Sequence, residues 1–588
     1  MSQQSKIDGG ELVVSTLKKA GVENMFVLHG GHLDPIFQAC LDHNIRLIDT
    51  RHEAAAGHAA DAYARQTGKI GVAVATAGPG FTNVITAITQ AHLDASPVLF
   101  IIGAAPLRDA ERWPLQGGID QVAMARPVTR WSTQVTRTEL IPHLLAQAIR
   151  KTRDGQPGPV MIEIPIDVLF NQIDSTTVSL PESLHYNFPP APSIDQTSEI
   201  LAMLCGAERP AIICGGGMLF SDASKHLRRF VKLTGIPVYS NNKARGVLPA
   251  SDPHCGNALT NIKVAEAMGA GTPDVALCLG IRFGMFTEPG MLGPGRIPPD
   301  DCKIIQVDRS GAEMGRIRTA HLPVVADCGE VLKALLDHSD KINWPDRSQW
   351  CQTVHNISRW HKSAYKDAVS QSSGIHPYEA VTEIANALDS ETILCADGGE
   401  TSGWAEMVFE AENQGQLMSH GYLGCLGIGI PFAIGAQVAN PDKRVVVIVG
   451  DGSAGFNVQE FDTMVRHHLP IVTIILNNKA WGMCVHGQQA MYGNNRLVVT
   501  SLGEARYEKV AEGFGCHGEY VEKTKDILPA VRRAIASGLP ACINIVTDLD
   551  ATLSRSDENS EGLDKEVATD AGARREIEMP YYDNLKSD

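Results

Sequence analysis

The stretch VVVIVGDGSAGFNVQEFDTMVRHHLPIVTIILNN, residues 445–478, joins two apolar runs through an amphipathic segment. VVVIVG and IVTIIL are short, rich in β-branched residues and free of charge, as strands buried on both faces are. Between them Phe461, Met464 and Val465 recur at i, i+3 and i+4, the spacing of one helix face. The unit reads as strand, helix, strand, the crossover that two parallel strands require. Gly450, Asp451, Gly452 and Ser453 leave the first strand, and Asn477 and Asn478 leave the second. Ligands of open parallel sheets bind beyond the carboxyl ends of strands. Asp451 and Asn478 stand 478 − 451 = 27 positions apart, about one βαβ unit, so both reach the same sheet edge.

One carboxylate and one amide oxygen make a poor zinc site and a reasonable magnesium site. Magnesium takes oxygen ligands and fills the remaining positions with phosphate oxygens and water. Asp451, Asn478 and a main-chain carbonyl just after it leave room for a diphosphate, cradled by the N–H groups at the start of the helix. A lone GDGS is more simply a glycine turn with a helix cap. The second polar residue at the neighbouring strand end favours a ligand.

The same alternation of short apolar runs and amphipathic segments covers most of the 588 residues. IGVAVAT (70–76) and VLFIIG (98–103) read as buried strands, and AAAGHAADAYAR (54–65) as a helix with a small-residue face. The Pro- and Ser-rich region around residues 175–198 reads as a linker. The fold expected is α/β with three doubly wound parallel-sheet domains, over residues 1–180, 195–345 and 370–550. Residues 551–588 are charged and aperiodic, and read as a mobile tail. A net charge of −16 without a basic stripe excludes a nucleic-acid partner. No apolar run has the length of a membrane span or a signal peptide, so a cytoplasmic protein is expected. The 13 cysteines carry no C-x-x-C pair, and Cys214, Cys278 and Cys395 lie in apolar runs, as small buried thiols do.

GDGS followed at this distance by NN resembles the signature of thiamine-diphosphate enzymes. That resemblance implies three domains: pyrimidine-binding, middle and diphosphate-binding. It implies thiamine diphosphate and Mg2+ as cofactors, with Asp451, Asn478 and the main-chain oxygen of Ala480 on the metal. It makes Glu53 of RHEAAAGHAADAYAR the carboxylate that bonds N1′ of the aminopyrimidine and so enables loss of the C2 proton. Thr76 and Pro79 of TAGPG line the pyrimidine pocket. Gly424 and Leu426 of HGYLGCLGIG lie at the thiazolium, Leu426 as its apolar wedge. Gly398, Gly399, Gly452 and Ser453, with Ala480, Trp481 and Gly482, complete the cofactor site. In this family the site forms between two subunits, which implies at least a homodimer, with a homotetramer favoured.

Within the family, GGELVV, LHGGHLDPIFQACLDH, LQGGIDQVAMA and HGYLG are similar to benzaldehyde lyases, which split and join 2-hydroxy ketones. Carried over, His32 and Gln116 are the polar groups near the reacting carbon, His32 as a proton relay and Gln116 as a hydrogen-bonding group. On chemistry alone His29 and His58 are equal candidates. Four pocket positions depart from that pattern. Gly31 stands for alanine, Ile166 for tryptophan, Ser402 for tyrosine and Met483 for alanine. Fewer aromatic walls remove stacking partners for an aryl group. The expectation is a lyase or carboligase of acyloins and aldehydes, acting on small carbonyl compounds. Alternatives are an acetolactate-synthase-like carboligase that decarboxylates 2-keto acids, and a 2-hydroxyacyl-CoA lyase or oxalyl-CoA decarboxylase. A non-catalytic subunit would lack Glu53 or Asp451. A dinucleotide-binding dehydrogenase would rest on Gly215–Gly217, which lacks the full glycine pattern.

Overall fold

A computed structural model describes residues 6–184, 189–288, 296–339 and 341–552. Of the tail expected over residues 551–588, all but 551 and 552 lies outside them. Three sheets of six strands each make the frame. Every pairing within them is parallel. Their central strands, such as Gly71–Ala75, Pro210–Cys214 and Val445–Gly450, are apolar almost throughout. That is what helices on both faces require of a strand. Among the described residues no helix is long and apolar enough to cross a membrane.

The third sheet sets the site. Its order places Ile393–Asp397, Val445–Gly450 and Val472–Asn477 side by side. Their carboxyl ends therefore open at one edge. The crossover between the last two departs from the single helix expected. It is two short helices, Asp451–Asn457 and Glu460–Arg466. Each is tied to a different loop: Asn457 donates to the Gly427 carbonyl at 2.6 Å, and Glu460 receives the Arg51 N–H at 3.1 Å. Phe461 and Met464 are buried as the periodicity predicts.

The first and third sheets share one core. The helix Glu53–Thr67 packs its alanines on the helix Gly429–Ala439. At Gly435 a Cβ would stand 2.1 Å from the Ala59 carbonyl oxygen, so the approach depends on glycine. A buried ion cluster fastens the middle domain to this core. Arg65 bridges Asp61 at 2.6 Å and Asp94 at 2.7 Å, and Lys243 from the middle domain also pairs with Asp94. Burial lowers the Lys243 ammonium to about 8 against the pull of Asp94.

In the middle domain the glycines at 215–217 open only a three-residue 3-10 turn. Gly217 packs directly on Gly280 there, where a Cβ would meet the Gly280 Cα at 2.7 Å. The helix start that a dinucleotide-binding reading needs is not at this position. Cys214, Cys278 and Cys395 are free and buried, as expected.

Candidate active site

The three strand ends of the third sheet open into a cavity of about 1010 Å³. Asp451, the first residue of its helix, lines it and is only 3% exposed. Its Oδ2 has no hydrogen-bond partner among the described residues. Burial pushes the carboxyl up to about 6, opposed by nearby backbone N–H groups that include those of Gly452, Lys479 and Ala480. A buried carboxylate oxygen left unpaired is costly unless a cation meets it.

Asn478 and Ala480 line the cavity beside Asp451. Lys479 between them has φ +60°, and Ala480 donates its N–H to Asn478 Oδ1 at 3.2 Å. One carboxylate, one amide oxygen and one carbonyl fit Mg2+ sharing its other positions with phosphate oxygens. The neighbouring asparagine has a different task. Asn477 is buried and donates to Asn544 Oδ1 at 3.1 Å.

Gly398 and Gly399, which leave the neighbouring strand Ile393–Asp397, also line the cavity. Gly398 has φ +102° and donates to Asp397 Oδ1 at 2.6 Å. Asp397 also accepts from the Gly429 N–H at 2.8 Å, which fixes the turn. At Gly452 a Cβ would fall 2.4 Å from the Trp481 ring, so this backbone lies beside the indole only as glycine. Ser453, Gly424 and the half-buried Leu426 also face the cavity. Gly482 and Met483 complete the wall next to Gly399. Ser402 lines the cavity too, but its hydroxyl is committed to the carbonyls of Gly398 and Gly399 at 2.7 and 2.8 Å.

The remaining expected residues form a second group on the first sheet. Glu53 opens the helix Glu53–Thr67, is 7% exposed, and accepts from Asn83 Nδ2 at 2.9 Å. Thr76, at the end of the strand Gly71–Ala75, has its Oγ1 at 3.2 Å from His32 Nδ1 and 3.5 Å from Gln116 Oε1. Burial holds the His32 ring below its ordinary value, so it is neutral at neutral pH. Gln116 takes a left-handed conformation with φ +59°. Pro79 heads the next helix, Pro79–Leu93. Ile166 opens the short helix Ile166–Leu169, which packs against the 3-10 turn Gly31–Leu33. The other histidines separate cleanly. His58 is inside its helix and buried, and His29 pairs with Asp34 at 3.0 Å on the surface.

None of Glu53, His32, Thr76, Gln116, Gly31 or Ile166 lines the cavity of the same chain. The structure thus gathers the expected site into two groups rather than one. Around the group on the first sheet the surface is open. Asn83 is exposed, and Trp113 and Leu115 near Gln116 are 87% and 85% exposed.

Two contributors were not singled out in the sequence. Asn83, the Glu53 partner, sits at the end of TAGPGFTN, in the helix that TAGPG begins. Gln121 fixes the TAGPG turn, accepting from the Gly78 N–H at 2.8 Å and donating to the Gly103 carbonyl at 3.1 Å. It also donates to Glu163 at 2.7 Å. It shares the segment LQGGIDQ with Gln116, and its helix position was the available signal.

Comparison with known proteins matches three family profiles to this chain. They are the thiamine pyrophosphate enzyme N-terminal TPP binding domain over residues 7–124, the central domain over 197–335 and the C-terminal TPP binding domain over 397–545. The chain is 32% identical over 543 residues to acetolactate synthase large subunit IlvG of Mycobacterium tuberculosis, covering 92% of this chain and 95% of that one. It is 32% identical over 516 residues to the acetolactate synthase large subunit of Lactococcus lactis, covering 86% and 87%. It is 30% identical over 582 residues to 2-hydroxyacyl-CoA lyase 2 of Bos taurus, covering 92% and 90%. These relatives correspond to the alternatives drawn from the sequence more than to the benzaldehyde-lyase reading.

Proposed function

The chain belongs to the thiamine pyrophosphate enzymes, and on that premise we propose that it makes or breaks a carbon–carbon bond next to a carbonyl, with a 2-keto acid as its first substrate. The observation that carries this reading is the cavity. It offers about 1010 Å³ at the strand ends beside Asp451 and Leu426, room for a cofactor and a small carbonyl compound, and its wall carries Lys243, paired with Asp94, and Arg282, 3.8 Å from Glu313. The acetolactate synthases among the relatives support the same class.

Thiamine diphosphate, when bound, adds to a carbonyl carbon and takes up the electron pair released as the adjacent bond breaks. The chain's own residues hold and orient. Asp451, Asn478 and the Ala480 carbonyl would grip Mg2+ and, through it, the diphosphate. Gly398, Gly399 and Gly452 leave space for the backbone to approach it. Leu426 offers an apolar surface from the opposite loop. Glu53, steadied by Asn83, presents a buried carboxylate for a ring nitrogen. His32, neutral beside Thr76, can move a proton at Nε2 while Nδ1 engages the threonine hydroxyl.

The separation of Glu53 from the cavity supports a site built from two copies of the chain. The Glu53 group of one copy would then close the cavity of the other, which calls for at least a homodimer.

A second reading is cleavage of 2-hydroxyacyl-CoA thioesters. It is favoured by the length of the cavity, which continues to Gly216, Gly217 and Arg309 of the middle domain and offers room for a nucleotide. The test is product identification. The protein loaded with thiamine diphosphate and Mg2+ is given pyruvate, an acyloin or a 2-hydroxyacyl-CoA in separate reactions. Carbon dioxide and a branched 2-hydroxy-3-keto acid from pyruvate are expected. Inertness toward pyruvate with cleavage of the thioester or the acyloin would overturn the first reading.

A further inference from the structure

Behind the polar group on the first sheet lies a buried amide. Gln121 opens the helix Gln121–Ala125 and is 3% exposed. Its Oε1 accepts from the Gly78 N–H at 2.8 Å, and its Nε2 donates to the Gly103 carbonyl at 3.1 Å and to Glu163 Oε2 at 2.7 Å. A backbone N–H only donates and a carbonyl only accepts, so the amide fits in one orientation only. Both hydrogens of Nε2 are then in use.

The two glycines that Gln121 grips stand against the residues expected near the reacting carbon. At Gly78, which has φ +61°, a Cβ would meet Gln116 Cα and Cβ at 3.0 Å. At Gly103 a Cβ would come within 3.1 Å of His32 Cβ and 3.3 Å of the Ala77 nitrogen. Thr76 precedes Ala77 and Gly78 and carries the hydroxyl that lies 3.2 Å from His32 Nδ1 and 3.5 Å from Gln116 Oε1. One amide therefore links the backbones behind His32, Thr76 and Gln116. The threonine contacts are at the long end of hydrogen-bond distances, so a small shift of the turn breaks them.

Glu163 locks that orientation. It lies in the strand Val160–Pro165, is 4% exposed, and also accepts from Gln134 Nε2 on the neighbouring strand Trp131–Gln134. No cation is among the groups that act on it: burial pushes the carboxyl up, the Gln121 and Gln134 amides oppose this, and the charge of Asp120 adds to the push. A buried carboxylate without a cation is costly, and an apolar side chain of similar volume would serve packing better. What the carboxylate adds is a strong acceptor facing Gln121 Nε2. With it in place, a flipped amide would set two oxygens against each other.

We propose that Gln121 is a positioning residue for His32, Thr76 and Gln116, and that Glu163 acts through Gln121 by holding its amide in place. The proposal rests on the reaction proposed above, in which His32 moves a proton. With Gly78 tied, the Thr76 hydroxyl stays within reach of His32 Nδ1, and Nε2 stays available for the proton. Without the tie, the N–H of the buried Gly78 is left unpaired. The turn then shifts, and His32 loses the partner that sets its tautomer. Both residues act through the backbone of two glycines, not on the substrate.

The test uses the full-length protein loaded with thiamine diphosphate and Mg2+, and whichever carbonyl substrate it turns over. Gln121→Leu and Glu163→Leu should each lower kcat by about 10- to 100-fold with KM within about threefold. Glu163→Gln should recover most of that loss, because its amide oxygen can face Gln121 Nε2 and the half-buried Gln134 can turn to suit. The double variant Gln121→Leu with Glu163→Leu separates positioning from stability. With the buried carboxylate gone, its thermal midpoint should rise above that of Gln121→Leu while kcat stays low. Without substrate, nitrogen NMR of labelled histidine should show the His32 Nδ1 signal, assigned by its loss in His32→Gln, displaced in Gln121→Leu and unmoved in Glu163→Gln. Recovery of kcat along with stability in the double variant, or an unmoved His32 signal in Gln121→Leu, overturns the proposal. If the substrate class is misassigned, the product assay reports it while the NMR result still tests the positioning.

Discussion

Arg51 donates its backbone N–H to both carboxylate oxygens of Glu460 at 3.1 Å. This bond pins the turn that precedes Glu53 to the helix Glu460–Arg466 of the third-sheet domain. Glu460 is wholly buried and also accepts from Thr463 Oγ1 at 2.7 Å. Burial pushes its carboxyl up to about 7, against the hydrogen bonds of Thr463 and Arg51 and the charge of Arg466. The folded chain keeps this proton where the unfolded chain has already released it. The stabilising contribution is therefore full below the ordinary carboxylate range and is lost as pH rises through about 7. Glu460→Gln should flatten this slope and raise stability relative to wild type above pH ~7 by roughly 1–3 kcal/mol. Urea unfolding midpoints of both proteins across that range check it.

The contact between Gly435 and Ala59 gives a second expectation. In an exposed helix, glycine to alanine stabilises by up to about 1 kcal/mol. Here the added Cβ would stand 2.1 Å from the Ala59 carbonyl oxygen, and the two helices would have to separate. Gly435→Ala should instead destabilise by roughly 1–3 kcal/mol, read as a lower thermal midpoint.

Much of the frame was legible because buried parallel strands write uninterrupted apolar runs. IGVAVAT and VLFIIG became the strands Gly71–Ala75 and Val98–Ala104. Asp451 and Asn478 were legible because one crossover fixes the distance between neighbouring strand ends. Contacts that join distant segments leave no such period. Asn83 meets Glu53 from another helix, Gln121 meets Gly78 across 43 positions, and His486 meets Glu400 across 86. The pair Asn477 and Asn478 also looked uniform in the sequence. Only strand direction shows that one turns into the core and the other toward the cavity.

Removal of the Asp451 carboxylate should act on the cofactor and spare the fold. Its Oδ2 lacks a partner among the described residues, and the amide oxygen of asparagine can still accept from the backbone N–H groups that face the carboxylate. Asp451→Asn should weaken Mg2+-dependent binding of thiamine diphosphate by about 100-fold, measured by calorimetry with and without Mg2+. Thermal stability without cofactor should be unchanged or higher, because a buried charge has been removed.

The central claim is that Glu53 of one copy serves the cavity of another. Glu53→Gln and Asp451→Asn are each expected to be inactive. The two variants are unfolded together, refolded as a mixture and assayed for turnover. Random pairing gives half mixed dimers, each with one intact site, so activity should return to about a quarter of the wild-type value. A mixture as inactive as either variant alone, with mixed dimers demonstrated, would contradict the account.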